Sequence, residues 1–98
     1  MAQALCENAI FYLECRVQGQ RESRLVRTLG AVYPGHVSAK QLMIRSGLAF
    51  HSNPVSAFVE LCNSFIRINR DLSRHGWQAI RSGGTPDDQY WLRPSGGG

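Results

Sequence analysis

The segment from Asn53 to Gly76 carries the strongest helix signal in the chain and limits what the rest can form. Asn53 can cap the first turn, because its side-chain oxygen can accept free N–H groups there, and Pro54 suits the first helical position. Gly76 suits the left-handed residue that ends a helix. Between these ends, apolar residues recur at steps of three and four, on one face of a helix of about six turns. They are Phe58, Leu61, Cys62, Phe65, Ile68 and Leu72.

Shorter helices are predicted before this segment. Residues 3–17 have helical apolar spacing, although residues 10–17 would also suit a strand because they are rich in aromatic and β-branched side chains; we favour the helix. Residues 21–33 predict a second helix, which Pro34 and Gly35 end. Ser38 begins a short third helix, with Gln41 in a capping-box pattern and Gly47 as its stop.

The C-terminal residues change character. Residues 77–81 and 89–92 are two strand-like runs, and the loop between them contains glycine, proline and aspartate. This pattern predicts a β-hairpin, with residues 94–98 as a flexible tail. The expected fold class is therefore mainly α with a C-terminal β-hairpin.

Length and charge narrow the function. With 98 residues the chain has room for one hydrophobic core. We divide the chain into an N-terminal helix over residues 1–20, a main domain over residues 21–93, and the tail. The net charge is +4, and most of the positive charge lies between Arg21 and Arg81. This distribution suits a polyanion such as nucleic acid, while a solvated basic surface is the alternative.

The cysteines Cys6, Cys15 and Cys62 are odd in number and form no C-x-x-C pair, which argues against a disulfide framework or a zinc site. Cys62 lies on the apolar stripe and is expected to be a small core residue. Reduced thiols favour the cytoplasm, and we expect no signal peptide or membrane span. No catalytic set or phosphate-binding loop stands out, so we expect no enzyme, no cofactor and no metal.

The predicted order is helix, short helix, turn, long helix and β-hairpin, which is the order of a winged helix-turn-helix. Several short pieces, between about residue 23 and residue 93, also resemble the effector domain of response regulators related to the phosphate and osmolarity regulators. The matching pieces are residues 25–29 (LVRTL), 33–42 (YPGHVSAKQL), 65–72 (FIRINRDL), 80–81 (IR) and 90–92 (YWL). The resemblance implies that residues 21–93 form a winged helix-turn-helix domain whose recognition helix, about residues 54–74, enters the major groove of DNA.

Candidate base contacts are polar residues near the N-terminal half of the long helix and away from its apolar stripe. They are Ser52, Asn53, Ser56, Glu60, Asn63 and Arg67. Asparagine can read adenine, glutamate can accept from cytosine, and arginine can reach guanine or phosphate. Two of them have competing structural interpretations: Asn53 as a helix cap only, and Glu60 as a partner of Arg67 or a solvated residue.

Candidate phosphate contacts are donors at the rim of the same surface. They are Ser38, Lys40, Arg45, His51, Arg70, Arg74 and Arg81. Ser38 has a competing role as a helix cap. A separate stripe of Arg21, Arg24 and Arg27 could face DNA, an acidic partner or water, and we favour water.

The sequence thus predicts a DNA-binding regulator of transcription that recognises a specific double-stranded sequence. The N-terminal helix, with Leu5, Ile10, Phe11 and Leu13, is the candidate surface for a homodimer, and plain core packing is its alternative role. The competing function is a protein-binding winged helix, either an adaptor or an inhibitor of another DNA-bound protein. Its hallmark would be an exposed apolar patch.

Overall fold

The computed structural model describes residues 3–48, 52–83 and 88–95, which contain four α-helices and a small antiparallel sheet. The helices are α1 (Glu7–Glu14), α2 (Gln20–Val32), α3 (Ala39–Arg45) and α4 (Pro54–Leu72), and a 3-10 turn covers Ser73–His75. The strands are β1 (Val37–Ser38), β2 (Trp77–Arg81) and β3 (Gln89–Pro94). The mainly helical fold and the C-terminal hairpin are therefore confirmed.

Helix α4 begins where its sequence signals predict, but it ends at Leu72, and the 3-10 turn Ser73–His75 leads from there to the predicted stop at Gly76. The side-chain oxygen of Asn53 accepts the backbone N–H of Ser56 at 3.1 Å, Pro54 is the first helical residue, and Gly76 is left-handed with a φ of 81°. The buried side chains of α4 are Ala57, Leu61, Ser64, Phe65, Ile68, Asp71 and Leu72. The prediction that Cys62 is a core residue is wrong: it is half-buried, because it lies about a third of a turn from the centre of this face.

Helix α1 is shorter than the predicted helix over residues 3–17, although the helical interpretation is confirmed for Glu7–Glu14. Its carboxylates attach it to α2. The guanidinium of Arg27 lies 2.6 Å from Glu14 and 2.7 Å from Glu7, and hydrogen bonds to Glu14 and then Glu7 raise the pKa of Arg27 above its ordinary value. The prediction that Arg27 faces only water is therefore wrong, because it joins two helices.

The sheet contains a strand that the sequence did not predict. The hairpin strands β2 and β3 pair antiparallel, with Ala79 opposite Leu92, and β1 adds to the other side of β3, giving the order β1-β3-β2. With only two residues, β1 is too short to give an alternating pattern. The backbone N–H of Ala39 also donates to Asp88 O at 2.9 Å, so the start of α3 is held against the hairpin.

The core lies between α2, α3, the inner face of α4 and the sheet. Its largest fully buried apolar side chains are Leu25, Val26, Leu29, Leu42, Met43, Leu61, Ile68, Leu72, Tyr90 and Leu92. Burial of each large aliphatic side chain contributes roughly 1.5–3 kcal/mol. The inner face of α4 is therefore fixed firmly in the domain, and its outer face is left to solvent.

Candidate functional site

Four of the six predicted base-contact residues are exposed together at the N-terminal half of α4. Ser52 and Asn53 precede the helix, Ser56 lies in its first turn, and Asn63 lies about two turns further along. The side-chain oxygen of Asn53 already caps the helix, whereas the side-chain amide of Asn63 has no hydrogen bond within the described residues. The structure thus exposes these polar groups between the start and the middle of α4.

The other two predicted base contacts, Glu60 and Arg67, lie on the flank of α4 that faces the start of α2. Glu60 forms an ion pair with Arg21 at 3.2 Å and none with Arg67. The guanidinium of Arg67 lies 3.4 Å from the carboxylate of Glu22, while 54% of the Arg67 side chain remains exposed. Both residues are therefore oriented by α2.

Glu22 is a buried carboxylate that the sequence does not single out. It is 6% exposed. Its Oε2 accepts a hydrogen bond from the hydroxyl of Ser64 at 2.5 Å and a longer one from Nη1 of Arg67 at 3.4 Å. A charge removed from water needs such partners. A glutamate in the first turn of a helix is ordinarily a surface residue placed near the positive helix end, so only the crossing of α2 over α4 reveals its burial.

Part of the exposed face of α4 is aliphatic. Val55, Val59 and Ile66 are 76%, 53% and 70% exposed, and they lie within about 40° of one another around the helix axis. We call these three residues the aliphatic ridge. Sequence reasoning missed it by considering only polar and cationic residues outside the apolar stripe, although the spacing of four and seven residues was present as a signal.

The predicted phosphate contacts are spread around this surface. Lys40 and Arg45 are exposed on α3, while Ser38 caps α3 by accepting the N–H of Gln41 at 3.2 Å. Arg70 lies 3.5 Å from Asp71 and its side chain is 61% exposed. Exposed Arg74 follows in the 3-10 turn and has no hydrogen bond or ion pair within residues 3–48, 52–83 and 88–95. His51 lies outside the described residues.

Arg81, the last predicted phosphate contact, lies on β2 beside α4. Its Nη1 donates to the sulfur of Cys62 at 3.2 Å. The buried hydroxyl of Tyr90 is nearby, and burial raises its pKa above the ordinary value while the Arg81 cation opposes the rise. The hydroxyl and the guanidinium attract each other electrostatically, but no hydrogen bond with acceptable geometry joins them. Arg81 thus links the hairpin to α4 while its side chain stays accessible.

The predicted dimer surface on α1 is mostly internal. Ile10 and Leu13 are buried and Leu5 packs against the core, so plain core packing accounts for three of its four residues. Phe11 remains 58% exposed. Next to Phe11, the guanidinium of Arg16 lies over the ring of Tyr12, 4.6 Å from the ring centre.

Within the described ranges, no group of three or more His, Cys, Asp or Glu side chains could hold a metal ion. None of the described helices combines the length and the apolar character needed to cross a bilayer.

Comparison with known proteins does not assign the chain to a family. No protein-family model matches the sequence, and no curated protein or solved structure is significantly similar to it.

Proposed function

We propose that the chain is a winged helix-turn-helix protein that binds double-stranded DNA at specific sequences and regulates transcription. The observation that carries this proposal is the placement of α4, which is packed on its inner face and open on its outer face from Val55 to Arg70. An exposed helix about 10–12 Å across matches the width of the major groove. Helix α3 packs against α4, and the hairpin follows it.

Each part of the surface has a role in this arrangement. The outer face of α4 enters the major groove, α3 braces it, and the hairpin reaches the neighbouring backbone. Ser52, Asn53, Ser56 and Asn63 stand nearest to base edges, with Glu60 and Arg67 on the flank. The cations that approach phosphates are Lys40, Arg45, Arg70, Arg74 and Arg81.

Electrostatics favour a duplex as the partner of α4. The chain carries a net charge of +4, and the acidic groups of α4 are each in contact with an arginine, Glu60 with Arg21 and Asp71 with Arg70. These contacts reduce the repulsion that a free carboxylate would exert on phosphate. Each phosphate that a cation neutralises releases counterions from the DNA, which is the main source of affinity in such complexes.

The second candidate is a protein-binding adaptor or inhibitor that uses the same fold. The aliphatic ridge of Val55, Val59 and Ile66 favours it, because contiguous exposed apolar side chains mark contact surfaces. The charge around the ridge is the reason for ranking DNA first, since Arg67 and Arg70 flank it and are both more than half exposed.

A mobility-shift titration of the full chain against genomic duplex fragments, at a low and a higher salt concentration, separates the two functions. DNA recognition predicts retention of a subset of fragments at low salt and a steep loss of affinity at the higher concentration. If no fragment is retained even at low salt, the proposed DNA-binding function is wrong and the protein-partner function takes its place.

A further inference from the structure

The aliphatic ridge has a consequence for which DNA sequences α4 can accept. Val55, Val59 and Ile66 are each more than half exposed and lie opposite the buried face of α4 over about 16 Å of helix, so in a groove they would meet the base pairs together with the polar residues of α4. They can neither donate nor accept a hydrogen bond. A surface of this kind needs an apolar counterpart if the water between the two partners is to be displaced favourably.

We propose that the aliphatic ridge recognises the C5-methyl groups of thymine, so that the chain prefers duplexes with A·T pairs opposite the middle of α4. This inference rests on the proposed DNA-binding function and names the sequence class that the site accepts. The residues that determine this specificity are Val55, Val59 and Ile66.

The chemistry of the major groove supports the assignment. The thymine methyl is the one apolar group that base pairs present there, and the remaining edge atoms are hydrogen-bond donors and acceptors. If the ridge lay against G·C pairs, it would remove water from those polar atoms and offer no replacement. Against A·T pairs, the ridge instead gains apolar contact with the thymine methyl groups. The preference for A·T over G·C pairs arises from this gain and from the desolvation cost at G·C pairs.

The residues beside the ridge suit the same base pairs and the phosphates around them. Asn63 is exposed next to Val59 along the helix, and an asparagine amide can bond to adenine, the partner of thymine. Arg70 continues the line of the ridge one turn beyond Ile66 and is 61% exposed, which suits a phosphate. A second copy of the chain is a poorer occupant, because each copy carries a net charge of +4 and cations border the ridge.

The test begins with selection of bound duplexes from a pool with a randomised central segment, using the full chain. In the enriched duplex, each thymine is then replaced by deoxyuridine, which keeps every hydrogen-bonding group and lacks only the methyl group. The dissociation constant should rise about fourfold for each contacted methyl that is lost, the effect expected when one buried methyl group is removed.

Two variants connect that loss to the ridge. Val59→Ser should abolish most of the difference between the thymine and deoxyuridine duplexes, because the apolar partner of the methyl group is gone. Val55→Ser is a second variant with the same expectation. Phe11→Ser is the matched control: it removes an equally exposed apolar side chain from α1, and the full difference should remain. Circular dichroism verifies that each variant is folded.

The outcomes are distinct. A thymine preference that depends on Val59 supports the inference. Enriched duplexes whose affinity does not change with deoxyuridine overturn the inference and leave the proposed function standing. If no duplex is enriched at all, the inference and the DNA-binding function both fail, and the ridge is assigned to a protein partner.

Discussion

The side-chain amide of Asn69 in α4 makes two hydrogen bonds with the backbone of Ala79 in β2. Asn69 Nδ2 donates to Ala79 O at 3.0 Å, and Ala79 N–H donates to Asn69 Oδ1 at 2.7 Å. Because β2 lies at the edge of the sheet, the outward N–H and C=O groups of Ala79 have no neighbouring strand to pair with. The side chain of Asn69 bonds to both groups in place of a strand. The pair therefore fixes the hairpin relative to α4.

Replacement of Asn69 should weaken the attachment of the hairpin to α4 and lower the stability of the fold. Asn69→Ala removes both hydrogen bonds and should lower the free energy of unfolding by about 2 kcal/mol, at roughly 1 kcal/mol for each bond. Asn63→Ala is the control, since it makes the same change on the exposed side of the same helix and loses no hydrogen bond within the described residues. Urea denaturation measures both variants, and equal stability of the two would refute the role of Asn69.

The buried pair of Glu22 and Ser64 should stabilise the crossing of α2 and α4. Ser64→Ala leaves the buried carboxylate without its hydroxyl donor and should lower the free energy of unfolding by roughly 1–3 kcal/mol. Ser56→Ala, at an exposed position near the start of the same helix, should have a much smaller effect. A double-mutant cycle with Glu22→Gln isolates the coupling, and a coupling energy near zero would contradict the account.

Tyr90 should make stability depend on alkaline pH. Its pKa is raised in the folded protein above the ordinary value of 10.0, chiefly by burial. The unfolded chain therefore loses the phenolic proton first as the pH rises, and the folded state is destabilised progressively above about pH 10. Below that pH, Tyr90 is protonated in both states and its full contribution to the free energy of unfolding is present.

Tyr90→Phe provides the comparison for this effect. Its free energy of unfolding should fall less than that of the original chain above pH 10.0, because the titrating group is gone. Near neutral pH the variant should be at least as stable, since the buried hydroxyl has no hydrogen-bond partner among the described residues to lose. Urea denaturation across this pH range provides the measurement. A variant that is clearly less stable at neutral pH would show that the hydroxyl is satisfied.

Arg67 in α4 and Arg74 in the 3-10 turn after α4 should contribute to DNA binding in different ways. Arg67→Ala should relax sequence choice, because the proposal assigns Arg67 to base edges, whereas Arg74→Ala should weaken binding to all duplexes alike. Competition between the enriched duplex and an unrelated duplex measures the difference. Arg67 also contacts buried Glu22, so binding must be compared where unfolding curves show that both variants are folded. Unchanged affinity in both variants would mean that the orientation of α4 is wrong.

The parts of the fold that the sequence predicts are those with local causes. The start of α4 depends on Asn53 and Pro54, and the end of the 3-10 turn that follows α4 depends on Gly76. These effects reach only a few residues along the chain, and the hairpin depends on its own alternation and loop. Strand β1 depends on pairing with Tyr90, which is more than fifty residues away in sequence. Local patterns contain no information about such a contact.

The candidate site is harder to predict for the same reason. The charge on Arg67 could be found from the sequence, but its contact with Glu22 arises only when α2 crosses α4. The exposure of Val59 likewise follows from which face of α4 the core covers. The spacing of Val55, Val59 and Ile66 shows that they share one face of α4, but it does not show whether another element packs over that face, so the exposure of the ridge is known only from the three-dimensional structure.

The salt dependence of duplex binding tests the central claim most directly. Fluorescence anisotropy with the enriched duplex should give a logarithm of the binding constant that falls linearly with the logarithm of salt concentration, and Arg74→Ala should reduce the slope by about one unit. A chain that does not bind the duplex at low salt, or that binds it with a slope near zero, would contradict the proposal that α4 presents its outer face to DNA.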